Sequence, residues 1–229
     1  MQVLALDSST DWLSVAVGDG RVWHERSERT GVHASERVLP FVREVLAEAG
    51  LRLHDLDGVA FGAGPGAFTG VRIACGVAQG LAFGADLPVV GVPTLLALAQ
   101  LDWQRHGSRA VLACLDARMR EVYVAAYRRD DDRWSEAMAP MVCKPDDVVA
   151  PPGEWRGCGD GFAAYPALAA RLGVHDVDTE VFPAAAAIGA LALPRLAHGE
   201  GVAADAAEPL YVRHRVALTT AERDAGLRL

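Results

Sequence analysis

Lysine is almost missing from this chain. Lys144 is the only one, so the 22 Lys+Arg residues are otherwise arginine. A Walker A loop ends in Gly-Lys-Ser/Thr. The one glycine-rich stretch here ends in Thr69-Gly70-Val71, far from Lys144, which excludes that loop. Basic charge is also short: 22 Lys+Arg face 30 Asp+Glu, a formal net charge of −8. Neutralising phosphates is the sequence-independent part of nucleic-acid affinity, so the chain is a poor candidate to bind nucleic acid alone, although an acidic total can hide a basic patch. Cys75, Cys114, Cys143 and Cys158 have no close spacing. That argues against a zinc knuckle or redox pair and for small apolar residues in a reducing compartment. Long apolar runs are missing too. The longest, around 184–193, is too short to span a bilayer. No basic segment precedes the first apolar run. The expectation is a soluble, cytoplasmic protein without membrane contact.

What is present is a core. Hydrophobic residues make up 51% of 229 and charged residues 23%, the balance of a globular chain. The length suits one large domain or two small lobes. Apolar runs predict strands at 2–7, 12–17 and 21–28, the last two joined by the hairpin signal Asp19-Gly20. A helix is expected over 35–49, with Val38, Leu39, Val42, Val45, Leu46 and Ala49 on one face and Gly50 closing it. Pro40 should kink that helix or confine it to an early turn. A strand at 57–62, a small-residue helix at 69–84, a strand at 88–92 and a helix at 94–104 with Thr94 as N-cap complete the first half.

The second half reads the same way. Strands are expected at 109–116, 120–128 and 134–142, then a short helix at 145–150, a strand at 155–158 and a helix at 163–172. A weak strand at 178–182 and an alanine-rich helix at 184–198 follow. Both halves give β-β-β-α-β-α-β-α, and Leu6-Asp7 is matched by Leu115-Asp116. The fold class is therefore α/β with a duplicated lobe. The expected division is 1–105, 106–215 and a tail at 216–229, with Leu210-Tyr211-Val212 as an apolar anchor.

Four features could carry chemistry. The first is Gly62-Ala63-Gly64-Pro65-Gly66-Ala67-Phe68-Thr69-Gly70 between a strand and a helix. It reads equally as a phosphate-facing loop or as a tight turn that seats the helix close to the sheet. A dinucleotide fingerprint fits poorly, because Asp86 precedes the next strand instead of following it. The second is Asp7-Ser8-Ser9-Thr10, a turn that can hold a cation and phosphate or simply bond its own backbone. The matching turn Asp116-Ala117-Arg118-Met119 lacks hydroxyls. The third is His33-x-x-Glu36, too few ligands for a catalytic metal; the other histidines, His106 among them, are scattered.

The fourth is the helix at 69–84. Gly76, Gly80 and Gly84 recur every four residues among Ala74, Ala78 and Ala82. Each helical glycine costs about 1 kcal/mol relative to alanine. A close partner, either this chain's own sheet or a helix of another subunit, has to offset that. The second reading is favoured because small residues surround most of the helix.

Leu4–Thr10, Gly64–Ile73, Val92-Pro93-Thr94-Leu95, Asp116-Ala117-Arg118-Met119-x-Glu121-Val122-Tyr123 and Pro209-Leu210-Tyr211-Val212-Arg213 together resemble the TsaB (YeaZ) family of bacterial tRNA threonylcarbamoyladenosine machinery. The resemblance implies an actin-like ATPase (ASKHA, ribonuclease H-like) fold. It implies a non-catalytic scaffold that pairs with the catalytic paralogue TsaD and helps recruit the ATPase TsaE. The complex modifies N6 of the adenosine beside the anticodon in tRNAs reading codons that begin with A. It also implies a homodimer when alone, tRNA contact only through the complex, and no intrinsic cofactor, with ATP or ADP at the complex interface. The paired surface would comprise Glu36, Leu39, Val42, Arg43, Leu46, Arg72, Ile73, Gly76, Val77, Gly80 and Leu81. Residual phosphate-facing positions would be Asp7, Ser8, Ser9, Thr10, Gly64 and Gly66. The family's catalytic paralogue has a histidine-rich metal motif where this chain has only His33. The alternatives are an actin-like small-molecule kinase or ATPase, or a degenerate metalloprotease-like protein.

Overall fold

The structure is a computed structural model and describes residues 1–212; the expected tail at 216–229 lies outside them. The chain builds two five-stranded sheets. Strands β1 (Val3–Asp7), β2 (Trp12–Gly18), β3 (Trp23–Arg29), β4 (Gly58–Gly64) and β5 (Val89–Pro93) form the first, in the order β3-β2-β1-β4-β5. Strands β6 (Ala110–Asp116), β7 (Val122–Asp130), β8 (Arg133–Cys143), β9 (Arg156–Cys158) and β10 (Val177–Asp178) form the second. Its order, β8-β7-β6-β9-β10, repeats the first strand for strand. In each half two antiparallel hairpins precede two parallel crossovers. The duplication expected from the sequence is thus present in topology and pairing direction.

The first crossover helices are α1 (Ala34–Ala49) and α2 (Phe68–Ala85). Period-two alternation in β1 sends Leu4 and Leu6 toward them and Val3 and Ala5 to the opposite face. Val38, Phe41, Val42 and Val45 of α1 and Ala74, Ala78 and Ala82 of α2 close over Leu4, Leu6, Leu13, Val15 and Phe61. The inward face of α1 therefore includes Phe41 and excludes Leu39, which is about half exposed at 49%. Pro40 stands inside α1 and the helix continues through it to Gly50, whose φ of 67° ends it. All four cysteines are unpaired, Cys143 being only partly buried, and removal from water pushes their thiols up.

The two remaining long helices change sides. Helix α3 (Thr94–His106) follows the first sheet, yet Leu95, Leu98 and Ala99 pack on Val111, Ala113, Leu115 and Tyr127 of the second. Helix α6 (Ala185–Ala197) follows the second sheet, yet Ala185, Ile188, Ala192 and Leu196 cover Val3, Ala5, Ala16, Ala60 and Val90 of the first. Small residues on that sheet face let α6 lie close, and a side chain at Gly189 would overlap the Trp23 ring.

Helix α6 starts at Ala184 without a side-chain cap of its own. Its cap comes from the other half of the chain. Ser14 Oγ accepts from Ala185 N at 2.8 Å and donates to Glu25 Oε1 at 2.8 Å, which accepts from Ala186 N at 3.2 Å. Ser14→Ala should cost about 1–2 kcal/mol in urea denaturation, since it leaves a buried helix N–H bare. A loss below a few tenths would show that the remote cap contributes little.

Four sequence expectations are corrected. The helix at 145–150 is one 3-10 turn, Pro145–Asp147, because Pro145 starts a turn that the next residues leave in extended geometry. The helix at 163–172 splits into α4 (Gly161–Ala164) and α5 (Ala167–Leu172), since Tyr165 precedes Pro166 and leaves helical geometry at φ −129°, ψ 75°. The weak strand at 178–182 shrinks to Val177–Asp178. Thr94 is the first helical residue and not the cap; its Oγ1 accepts from Gly64 N at 3.1 Å, tying α3 to the glycine loop.

Candidate functional site

Two surfaces meet at the glycine loop. The first is a cleft of about 640 Å³ between the sheets. Ser9, Thr10, Asp11 and Trp12 of the β1–β2 turn face Asp116, Arg118 and Met119 of the β6–β7 turn, with Phe68, Phe182, Leu210 and Tyr211 among its apolar lining. The turns are built alike. Asp7 Oδ1 accepts from Ser9 N at 2.9 Å, and Asp116 Oδ1 accepts from Arg118 N at 3.0 Å. In both halves glycines press on the end of the first strand. A side chain at Gly66 would overlap Ser9 O, one at Gly70 would overlap Ser8 O, and one at Gly159 would overlap Cys114 O. This close seating matches one of the two readings of the glycine loop, the tight turn that seats the helix close to the sheet.

The loop's polar groups are largely engaged within the chain. Ala67 N donates to Ser9 O at 2.7 Å and Ser8 Oγ donates to Gly70 O at 2.8 Å. Asp7 is fully buried beneath the cleft, with Oδ2 against Gly62 and without a hydrogen-bond partner among the described residues. Burial pushes its carboxyl up to about 7, against the lowering effect of the hydrogen bonds from Ser9. Ser9, Thr10 and Gly66 line the cleft; Asp7, Ser8 and Gly64 do not. A nucleotide in this chain alone would find neither lysine nor an exposed Asp7 oxygen. Across the cleft, burial also holds Asp160 above the usual carboxylate range, opposed by a hydrogen bond from Asp116 N and reinforced by the Asp116 charge.

Two features of the cleft were not legible in the sequence. Arg118, Met119 and Arg120 all have left-handed backbone, with φ of 60°, 54° and 64°. For residues with a Cβ this costs roughly 1–2 kcal/mol each, and such strain clusters at working sites. Leu210 is tied by its backbone, Leu210 N donating to Ala63 O at 2.7 Å, so the apolar anchor holds by a hydrogen bond more than by burial.

The second surface is the outer side of α1 and α2. By length and apolarity alone the 18-residue α2 could cross a bilayer, but Val71, Ala74, Cys75, Ala78 and Ala82 are core. The apolar run at 184–193 is thus not the most membrane-like segment of the chain. On α2's other side Gly76, Gly80 and Gly84 are exposed, and among the described residues a Cβ at any of them would meet nothing within 4 Å. Packing among the described residues gives no reason for these three glycines. Around them Glu36, Leu39, Arg43 and Arg72 are exposed, while Leu46, Ile73, Val77 and Leu81 are half-buried. Val42 belongs to the chain's own core at 3% exposure. Phe83, 81% exposed, joins the surface and escaped the sequence reading because an isolated aromatic in an apolar helix reads as core. Arg72 stacks on Phe68 at 3.3 Å and Tyr211 at 5.2 Å, so this surface runs into the rim of the cleft. His33 and Glu36 lie 3.4 Å apart, and among the described residues no third metal-ligating group joins them.

Comparison with known proteins agrees with this arrangement. The family profile described as "TsaD: tRNA N6-adenosine threonylcarbamoyltransferase" matches residues 28–204. The tRNA threonylcarbamoyladenosine biosynthesis protein TsaB of Escherichia coli K12 is 41% identical, with 95% of this chain and 96% of that protein covered. The structure of YeaZ from Pseudomonas aeruginosa superposes with a TM-score of 0.84 at 40% identity, covering 92% of this chain and 99% of that one. A more distant match is (R)-2-hydroxyglutaryl-CoA dehydratase component A of Acidaminococcus fermentans. It has a TM-score of 0.53 at 10% identity over 86% of this chain and 99% of that one, and shares the fold alone. At these identities over nearly the whole length, the chain belongs to the TsaB (YeaZ) family of tRNA threonylcarbamoyladenosine biosynthesis proteins.

Proposed function

We propose that this chain is the non-catalytic scaffold of a tRNA threonylcarbamoylation complex, and that the exposed side of α1 and α2 is where it pairs with the catalytic TsaD-type subunit. One observation carries the reading: three exposed helical glycines, each unfavourable by about 1 kcal/mol, have no neighbour among the described residues that would exclude a side chain. Their use is close approach of a partner helix. Two helices from each subunit form a four-helix contact through Glu36, Leu39, Arg43, Leu46, Arg72, Ile73, Gly76, Val77, Gly80 and Leu81, with Val42 supporting it from beneath. Without the partner, the same side pairs with a second copy by an isologous contact.

The repeated sheet order and the fold shared with the dehydratase component support the actin-like ATPase (ASKHA) class with two lobes, whose strands divide near 105/106 while α3 packs with the second lobe and α6 with the first. Docking of the TsaE-type ATPase and any ATP or ADP at the assembled interface fit the rim where Arg72, Phe68 and Tyr211 stack, next to Ser9, Thr10 and Gly66. With a net charge of −8, the basic surface for tRNA comes mainly from the partners. The setting is cytoplasmic.

The test is reconstitution with and without this chain, measuring modified adenosine in a tRNA that reads codons beginning with A. Modification should require the chain, and the chain alone should neither modify tRNA nor turn over ATP. Full modification in its absence would reject the scaffold role. Magnesium-dependent ATP turnover by the purified chain, reduced by Asp7→Asn, would favour a kinase or ATPase instead. The buried, shielded position of Asp7 speaks against that outcome.

A further inference from the structure

The histidines are scattered in sequence, but folding brings one of them to two carboxylates at an edge of the second sheet. Asp102 and His106 stand one turn apart on α3, so both project from one side of the helix. Asp178 lies on β10, the edge strand. One ligand atom from each of the three falls within 4.8 Å of the others. His106 Nε2 is 3.1 Å from Asp178 Oδ2. Asp102 is fully buried. Its Oδ1 accepts from Arg156 Nε at 3.1 Å, while Oδ2 has no hydrogen-bond partner among the described residues. A buried carboxylate oxygen left bare is costly, and this one sits in a group of metal-ligating side chains.

We propose that Asp102, His106 and Asp178 bind a first-row divalent cation, zinc foremost, which fastens the end of α3 to the edge of the second sheet. The donors decide the class. One imidazole nitrogen with two carboxylate oxygens suits zinc and its neighbours, whereas calcium and magnesium prefer all-oxygen shells. Three protein ligands leave a fourth position for water. The charges allow it. Asp102, Asp176 and Asp178 face Arg105 and Arg156, which leaves one negative charge before the cation arrives. Arg105, 3.5 Å from Asp178 and about half exposed, can release its carboxylate into the metal shell. Arg156 stays on Asp102 and Asp176 as an outer support that orients the buried ligand. Exposed His106 is the ligand with room to move as the set contracts to bonding distance.

The test uses the untagged full-length chain, stripped with a chelator and titrated with Zn²⁺ and with Co²⁺. Zn²⁺ should bind saturably at one equivalent and raise the melting temperature. Co²⁺ should give the visible bands of a four-coordinate site. His106→Ala and Asp178→Asn should each weaken binding at least about tenfold, and Arg105→Ala should tighten it by removing the competing cation. His33→Ala should leave binding unchanged. The substituted side chains lie at the surface or the sheet edge, and far-UV circular dichroism checks that each variant is folded. No saturable binding below about 1 mM, or wild-type affinity in His106→Ala, overturns the proposal; the bare oxygen of Asp102 is then a site for water.

Discussion

Gly80→Arg should abolish association with a TsaD-type partner while the isolated chain remains folded. Among the described residues nothing lies within 4 Å of a Cβ at Gly80, so the arginine points into open space in the free chain. In a complex it enters a helix–helix contact where backbones approach closely because side chains are missing. Burying an unpaired guanidinium there costs several kcal/mol, a loss of more than a hundredfold in affinity. Size-exclusion chromatography with light scattering reads the result. An intact heterodimer would place the partner elsewhere. A companion variant reverses the sign for the free chain. Replacing Gly76, Gly80 and Gly84 together by alanine should stabilise it by about 2–3 kcal/mol, since each exposed helical glycine costs about 1 kcal/mol. The same triple variant should weaken pairing, because three methyl groups now separate the helices. A stability unchanged or lowered in the free chain would mean that these glycines serve its own fold after all.

The second large effect is a dependence of stability on pH that runs opposite to ordinary acid denaturation. Burial raises the Asp7 carboxyl from 3.8 in the unfolded chain to about 7 in the folded one. Between these values the folded state holds a proton that the unfolded state has released. Stability from this group is therefore complete below about pH 4, falls as pH rises, and levels off above 7. A shift of about three units corresponds to about 4 kcal/mol. Asp7→Asn keeps the oxygen that accepts from Ser9 and removes the titration. The stability gap between variant and wild type should thus move by a few kcal/mol in favour of asparagine between pH 4 and pH 8. Comparing the two chains cancels the other carboxylates and any constant cost of the amide. Parallel urea titrations at several pH values measure this. A flat gap would mean that Asp7 is ionised in place, held by a group that the turn itself does not supply.

Local sequence carried much of this fold because the relevant signals are local. Alternation in β1, the Asp19-Gly20 turn and the helix-ending Gly50 each act within a few residues. The matched ends Leu6-Asp7 and Leu115-Asp116 exposed the duplication for the same reason. What stayed hidden depends on distant partners. The apolar residues of α6 do not reveal which sheet they cover, and Ser14 looks like any strand serine until Ala185 arrives to bond it. Thr94 has the composition of a cap, but the donor it serves is Gly64, thirty residues back. The same holds at the candidate sites. The spacing of Gly76, Gly80 and Gly84 marked a surface, whereas the open space beside each, among the described residues, emerges only in the folded chain. Val42 is expected on that surface, yet its place in the helical period puts it beside Val38, Phe41 and Val45 on the buried side of α1. His106 could not be joined to Asp178 by any rule of spacing, since 72 residues separate them.

The exchange of α3 and α6 sets the order in which this protein can fold as it is made. The first sheet is complete once Pro93 has been synthesised, but the face formed by Val3, Ala5, Ala16, Ala60 and Val90 waits for Ala185–Ala197. At roughly 5–20 residues per second that interval is on the order of ten seconds, spent with an apolar sheet uncovered. The N-terminal half is therefore not a unit that folds first and waits. Its native contacts close over nearly the full length of the chain, a topology associated with slow folding.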